Sequence, residues 1–225
     1  MRKLLPAIVV IALIGIASFL AFTFEIPEVS VFQVFQDLDQ RIIQAESKGE
    51  ETLETTLEQL QVSVREVISI GQTYDGKKDV SEQFTAYQTQ YDQLNQYIES
   101  AMGEVSKAIE STDFEKVEKQ VTKIAPELQG LATEMVKIQT ERTTKLELLN
   151  KELQKLVTEL ETFEEMFYHT KTSDTVQYFQ GINSIFKNIQ ALHSDYMETV
   201  ESYYAIKADY YEQIANKNVI DYLFN

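Results

Sequence analysis

Apolar residues along this chain follow two regimes: one unbroken block near the amino terminus, then a long series of positions spaced alternately by three and four. The block, Leu4–Phe24, contains no charged side chain. The later series is the pattern of helices that bury one stripe against neighbouring helices. Phe35, Leu38, Ile42 and Ala45 open it. It slips at Gly49 and resumes at Leu53, Leu57, Leu60, Val64 and Val67. Ser47-Lys-Gly-Glu50 has the form of a capping box, so a new helix or a kink is expected there. Tyr74-Asp-Gly-Lys-Lys-Asp79 reads as the first clear loop.

The next stretch is the most regular. Val80, Phe84, Tyr87, Tyr91, Leu94, Ile98, Ala101, Val105 and Ala108 form a seam without an error in spacing. Asp79-Val-Ser-Glu82 can cap its start. Ser111-Thr-Asp113 turns the chain, with Thr112-x-x-Glu115 as the next cap. Phe114, Val117, Val121, Ile124, Leu128, Leu131, Met135 and Ile138 continue the repeat. Pro126 falls inside it, and the in-phase repeat on both sides predicts a kink there rather than a full loop. Leu149, Leu153, Leu156, Leu160, Phe163 and Phe167 carry the stripe to Tyr168, and His169–Asp174 is the following turn. A last long helix is predicted over about Asp174–Ala215, with Phe179, Ile182, Phe186, Ile189, His193, Tyr196, Val200, Tyr203, Lys207, Tyr210 and Ile214 on its face. At 1.5 Å per residue such helices are on the order of 45–65 Å long. Short connections between them imply antiparallel neighbours. The expected fold is therefore all-α: an N-terminal transmembrane helix over residues 1–24, then an elongated antiparallel long-helix bundle over 25–225. The apolar tail Val219-Ile-Asp-Tyr-Leu-Phe224 can dock back on it.

Leu4–Phe24 matches the ~20 residues a helix needs to cross a hydrocarbon core. Pro6 sits in its first turn, where a missing N–H is harmless. Arg2 and Lys3 on one side, with Glu25 and Glu28 on the other, orient the amino terminus to the cytoplasm and the bulk of the chain to the far side. The competing reading is a signal peptide cleaved after Gly15-Ile-Ala17. The apolar run continues past that site to Phe24, which favours a retained anchor.

Composition narrows the classes further. Gly is scarce at seven residues and Pro at three, which suits long uninterrupted elements and not a turn-rich β fold. With no Cys, disulfides, thiolate metal sites and cysteine nucleophiles are excluded. The net charge is −16, and all 36 acidic residues follow the apolar block. Nucleic acid and bare anionic lipid would be repelled by such a chain. No N-x-Ser/Thr sequon occurs.

Catalytic and metal motifs are missing. There is no Gly-rich phosphate loop, H-E-x-x-H or nucleophile elbow, and no Glu-x-x-His pair of the kind that builds di-iron bundles. No enzyme activity, cofactor or metal is expected. His193 occupies a seam position, where it is either a pH-responsive group or core ligand, or, more plainly, a core or boundary histidine. His169 falls in a turn. Of the twelve Tyr residues, Tyr196, Tyr203, Tyr204, Tyr210 and Tyr211 crowd the last helix. Tyr combines apolar area with a polar tip and suits binding surfaces, including stacking on sugar rings. Seam spacing makes Tyr203 and Tyr210 core, and Tyr196, Tyr204 and Tyr211 are the candidate binding surface.

The run Ile182-Asn183-x-x-Phe186-x-x-Ile189-x-x-x-His193-x-x-Tyr196, continuing Tyr203-Tyr204-x-x-Lys207-x-x-Tyr210-Tyr211, resembles the carboxy-terminal helix of the cell-wall-binding lipoproteins of Gram-positive bacteria. The preceding Glu161–Thr172 turn, with Glu165-Met-Phe, is similar as well. The resemblance implies an extracytoplasmic, envelope-associated, helical and non-enzymatic protein. It carries no binding residues over to this chain. Those proteins are anchored by lipid on a Cys, whereas this chain has none and offers Leu4–Phe24 instead.

The expected protein is a single-pass plasma-membrane protein that presents a helical surface to cell-wall material or to another envelope protein. The alternative is a sensor or accessory subunit of a membrane complex, working through small helix shifts.

Overall fold

A computed structural model describes residues 26–48, 52–71, 74, 77, 79–168 and 173–216. The anchor Leu4–Phe24, the cleavage site at Ala17, His169 and the tail Val219–Phe224 lie outside the described residues, as do Gly49, Glu50 and most of the Tyr74–Asp79 loop. All regular structure among the described residues is helical: α1 Pro27–Glu46, α2 Leu53–Gly71, α3 Ser81–Tyr97, a π-helical turn Ile98–Met102, α4 Gly103–Glu110, α5 Phe114–Val121, α6 Pro126–Leu160, α7 Phe163–Tyr168 and α8 Ser173–Ala215. The protein is an all-α helical bundle. Residues 25–225, read from the sequence as one bundle, divide into two compact units. One draws on the chain up to Asp37, on Asp113–Lys137 and on Tyr204 onward, the other on Leu38–Thr112 and Ile138–Tyr203.

In the first unit, Phe35, Val117, Val121, Ile124, Leu128, Met135 and Tyr210 are buried as the seams require, and Val31 joins them, but between Leu128 and Met135 the buried residue is Ala132 and not Leu131. Pro126 does not kink a longer helix there. It stands at the first position of α6, where its missing N–H would have no intrahelical partner. The turn before it is tight, with Lys123 N–H donating to the Gln120 carbonyl (2.9 Å) and Ile124 N–H to that of Val121 (3.2 Å). Ile124 remains buried in that turn, so the apolar phase survives a complete break. The orphan amide of Ala125 donates to the Glu28 carboxylate at 3.1 Å, a cap supplied from α1. The Tyr210 hydroxyl donates to the Glu28 carbonyl at 3.1 Å.

Two predicted caps move. Thr112 bonds back to the Ala108 carbonyl (2.8 Å), and Asp113 caps α5 by accepting from Lys116 N–H (2.8 Å). The hydroxyl of Ser47 closes the end of α1 on the Gln44 carbonyl, and Thr52 accepts from Thr55 N–H at the start of α2. A separate helix, not a kink, therefore follows Gly49. Asp79 accepts from the amide and hydroxyl of Ser81 (3.0 and 2.7 Å), which hold its carboxyl below the usual range.

The second unit is organised around aromatic rings. Phe163 and Phe167 are fully buried, with Phe163 4.6 Å from the Tyr87 ring and 5.7 Å from that of Phe179. The break between α6 and α7 at Glu161-Thr162 leaves carbonyls without helical partners. Tyr87 donates to the Leu160 carbonyl at 2.8 Å, and Tyr178 to that of Glu159. Two tyrosine hydroxyls thus serve as C-terminal caps.

Candidate functional site

The buried stripe of α6 and α7 passes through Leu128, Ala132, Met135, Gln139, Arg142, Leu146, Leu149, Leu153, Leu156, Leu160, Phe163 and Phe167. Spacings of four and three alternate along it throughout, so Gln139 and Arg142 occupy core positions. Both lie in the second unit. Arg142 donates to the Asp39 carboxylate at 2.5 Å, and both side chains are almost wholly excluded from solvent. The Tyr203 hydroxyl donates to the other Asp39 oxygen at 3.0 Å, and the Arg142 guanidinium lies 5.1 Å over the Tyr203 ring. Arg142 also hydrogen-bonds the Tyr196 hydroxyl. Burial opposes its charge, but Tyr196 and Asp39 more than offset that and hold it protonated.

Tyr196 forms one wall of a cavity of about 300 Å³ beside this layer. Leu53, Met102, Leu146 and Leu149 supply its apolar side, while Glu46, Tyr97 and His193 face it with polar groups. The π turn accounts for two of these positions. In an α-helix, residues five apart point about 140° away from each other. Here the Gly103 amide donates to the Ile98 carbonyl, five residues back, and the wider i→i+5 turn brings Tyr97 and Met102 to one side.

The electrostatics of the cavity are acidic. Glu46, at the end of α1, is an exposed residue, but protein crowded around its carboxyl raises the pKa above the usual carboxylate value, with Arg142 pulling the other way. Burial, then the charge of Glu46 and the neighbouring Tyr196, push the Tyr97 hydroxyl well above its ordinary value. A carboxyl raised by folding lowers stability above the ordinary carboxyl range and not below it. Glu46→Gln is therefore expected to be more stable than the parent near neutral pH. The advantage should vanish as pH falls below that range, read by denaturant unfolding of both chains. Arg142 and, around the cavity, Glu54, Tyr97, His193 and Tyr196 are ionisable groups common to both chains.

The three tyrosines named from the sequence do not share one surface. Tyr196 is 5% exposed and faces the cavity and Arg142, within the second unit. Tyr204 and Tyr211 belong to the first unit and are 38% and 55% exposed. Tyr211 packs on Phe32 at 5.2 Å, and the Lys207 ammonium sits 5.3 Å from the Phe32 ring and 6.0 Å from that of Tyr204. Lys207 itself is buried and donates to Gln36 at 2.9 Å. His193 is half-buried at the cavity wall. Asp39, Arg142, Glu46 and Tyr97 were not singled out by sequence reasoning. For Arg142 a signal exists, since extending the register from Leu128 to Phe167 lands on it.

Among the described residues no group of His, Asp and Glu is placed to hold a metal ion, and no helix is long and apolar enough to cross a membrane. Comparison with protein-family models, curated proteins and solved structures gives no match.

Proposed function

We propose that the chain is a single-pass, membrane-tethered protein that acts outside the cytoplasm by binding, without catalysis, and holds its long helices as an elongated antiparallel array. The uncharged run Leu4–Phe24 behind Arg2 and Lys3 is the observation that carries this reading. A helical bundle whose acidic residues all follow that run supports a solvated body on the far side of the membrane. Its partner would be cell-wall material or another envelope protein. The cavity beside the π turn lends weight to the alternative, a sensor or accessory subunit, because a ligand seated between helices can shift them.

Fractionation of cells producing the chain with a carboxy-terminal tag tests the tether. The full-length product should stay with membranes after alkaline extraction, and removal of residues 4–24 should release it. Recovery of the intact chain in the soluble fraction would reject the tether. Retention of the full chain, in mild detergent, on purified peptidoglycan supports the wall partner, whereas co-purification with a membrane complex supports the sensor. Recovery of neither would reject the binding role.

A further inference from the structure

We propose that the cavity in the second unit is a binding site for a small organic cation, an ammonium group carried on a short apolar body. The inference does not depend on the tether or on any wall partner. It starts from three polar groups that converge on one space. Among the described residues the Glu46 carboxylate makes neither an ion pair nor a hydrogen bond, and the same is true of the Tyr97 hydroxyl and the His193 ring. Tyr97 is only 7% exposed. Its hydroxyl opens on the cavity, where the exposed Glu46 and the half-buried His193 also stand.

The chemistry of the walls selects the ligand. Glu46 and Glu54 contribute two carboxylates, and among the described lining residues none is Lys or Arg. The one nearby guanidinium, Arg142, is bonded to the Tyr196 hydroxyl and already pairs with Asp39. An anion would therefore meet unfavourable charge, and a cation would meet Glu46. Tyr97 and Tyr196 add ring faces, which attract ammonium groups through their quadrupoles. Leu53, Leu149, Met102 and Met197 offer the apolar surface for the rest of the molecule. A volume of about 300 Å³ is at the small end of ligand pockets. It has room for about ten water-sized groups. The raised carboxyl of Glu46 agrees with this, since desolvation there outweighs the pull of Arg142 and a bound ammonium would add opposite charge.

The π turn fits the same reading. Insertions of this type interrupt regular helical bonding and are frequent at functional sites. This one brings Tyr97 and Met102 onto the cavity together.

The test uses the full chain in neutral-detergent solution, with methionine methyl groups labelled for NMR and detergent alone as the reference. Benzylammonium, benzyl alcohol and benzoate serve as probes of similar size and different charge. Benzylammonium should shift the Met102 and Met197 methyl signals saturably and leave Met135 and Met166 in place. Its dissociation constant should be at least about tenfold lower than that of benzyl alcohol, and benzoate should shift neither signal. Glu46→Gln should bring benzylammonium to the affinity of benzyl alcohol without changing the latter. Equal binding of the three probes, tighter binding of benzoate, shifts spread over Met102, Met135, Met166 and Met197 alike, or no saturable shift would each overturn the proposal. The comparison of probes on the parent chain decides the matter even where the variant is altered in structure.

Discussion

Replacing Arg142 by methionine is expected to destabilise the protein by about 3–5 kcal/mol, read as a lower midpoint in denaturant unfolding. The size of the effect comes from what the change leaves behind. Asp39 would keep its charge in a site almost closed to solvent, without the guanidinium that neutralises it, while the Tyr203 hydroxyl supplies a neutral hydrogen bond. Gln139 would lose the donor 3.4 Å from its carbonyl oxygen. The pair itself contributes far less, because desolvating both charges offsets most of their attraction. The double substitution Asp39→Leu with Arg142→Met is therefore expected to recover most of the loss, to within about 1–2 kcal/mol of the parent. If the single and double variants are equally unstable, the cost lies in packing around the guanidinium and not in a stranded carboxylate.

Phe163→Ala is the second large effect, about 3–5 kcal/mol. Phe163 has no exposed surface and touches rings from two other helices, Tyr87 on α3 and Phe179 on α8. Its neighbours are held from elsewhere. Tyr87 is tied to the Leu160 carbonyl by its hydroxyl, so it cannot follow the lost ring inward without breaking that bond. A rigid surround leaves a larger cavity and puts the cost towards the upper end of the range. Ile43→Ala, at a side chain 55% exposed, is the matched control and should stay within about 0.5 kcal/mol. Thermal unfolding of the three chains under one condition gives the ranking. A Phe163→Ala midpoint no lower than that of the Ile43 variant would mean that the ring cluster is not part of the core.

The helical seams were legible because burial of a stripe demands apolar side chains at spacings that survive any local irregularity. Val117, Val121, Ile124 and Leu128 are all buried, although Pro126 starts a new helix in their midst. The same robustness conceals breaks. Alternate spacings of four and three run through Leu94, Ile98, Ala101 and Val105 as if the helix were uniform, yet the backbone takes a π turn over Ile98–Met102. Caps were less legible, since Ser, Thr and Asp close together offer several equivalent acceptors. Asp113 serves where Thr112 was expected because Thr112 is engaged by Ala108 and by Arg41 at 2.9 Å.

The candidate site was legible only in part. Tyr196 and His193 stood out by type and by seam position. Glu46 did not, because a carboxylate at the end of an acidic helix looks like any solvated charge. Arg142 read as an interruption of an apolar stripe, since its meaning depends on Asp39, a residue 103 positions away.

By itself the sequence determined the helical class, the faces that are buried and the absence of cysteine chemistry, because each depends on local spacing or on residue type alone. It also singled out Leu4–Phe24 as a segment apart. The tertiary structure alone decided which polar residues are stranded inside. Periodicity places a side chain on a face, but only the packing of other helices removes its water and chooses its partner. Asp39 answers Arg142 for that reason, and the same packing brings the buried Tyr97, the half-buried His193 and the exposed Glu46 to one cavity.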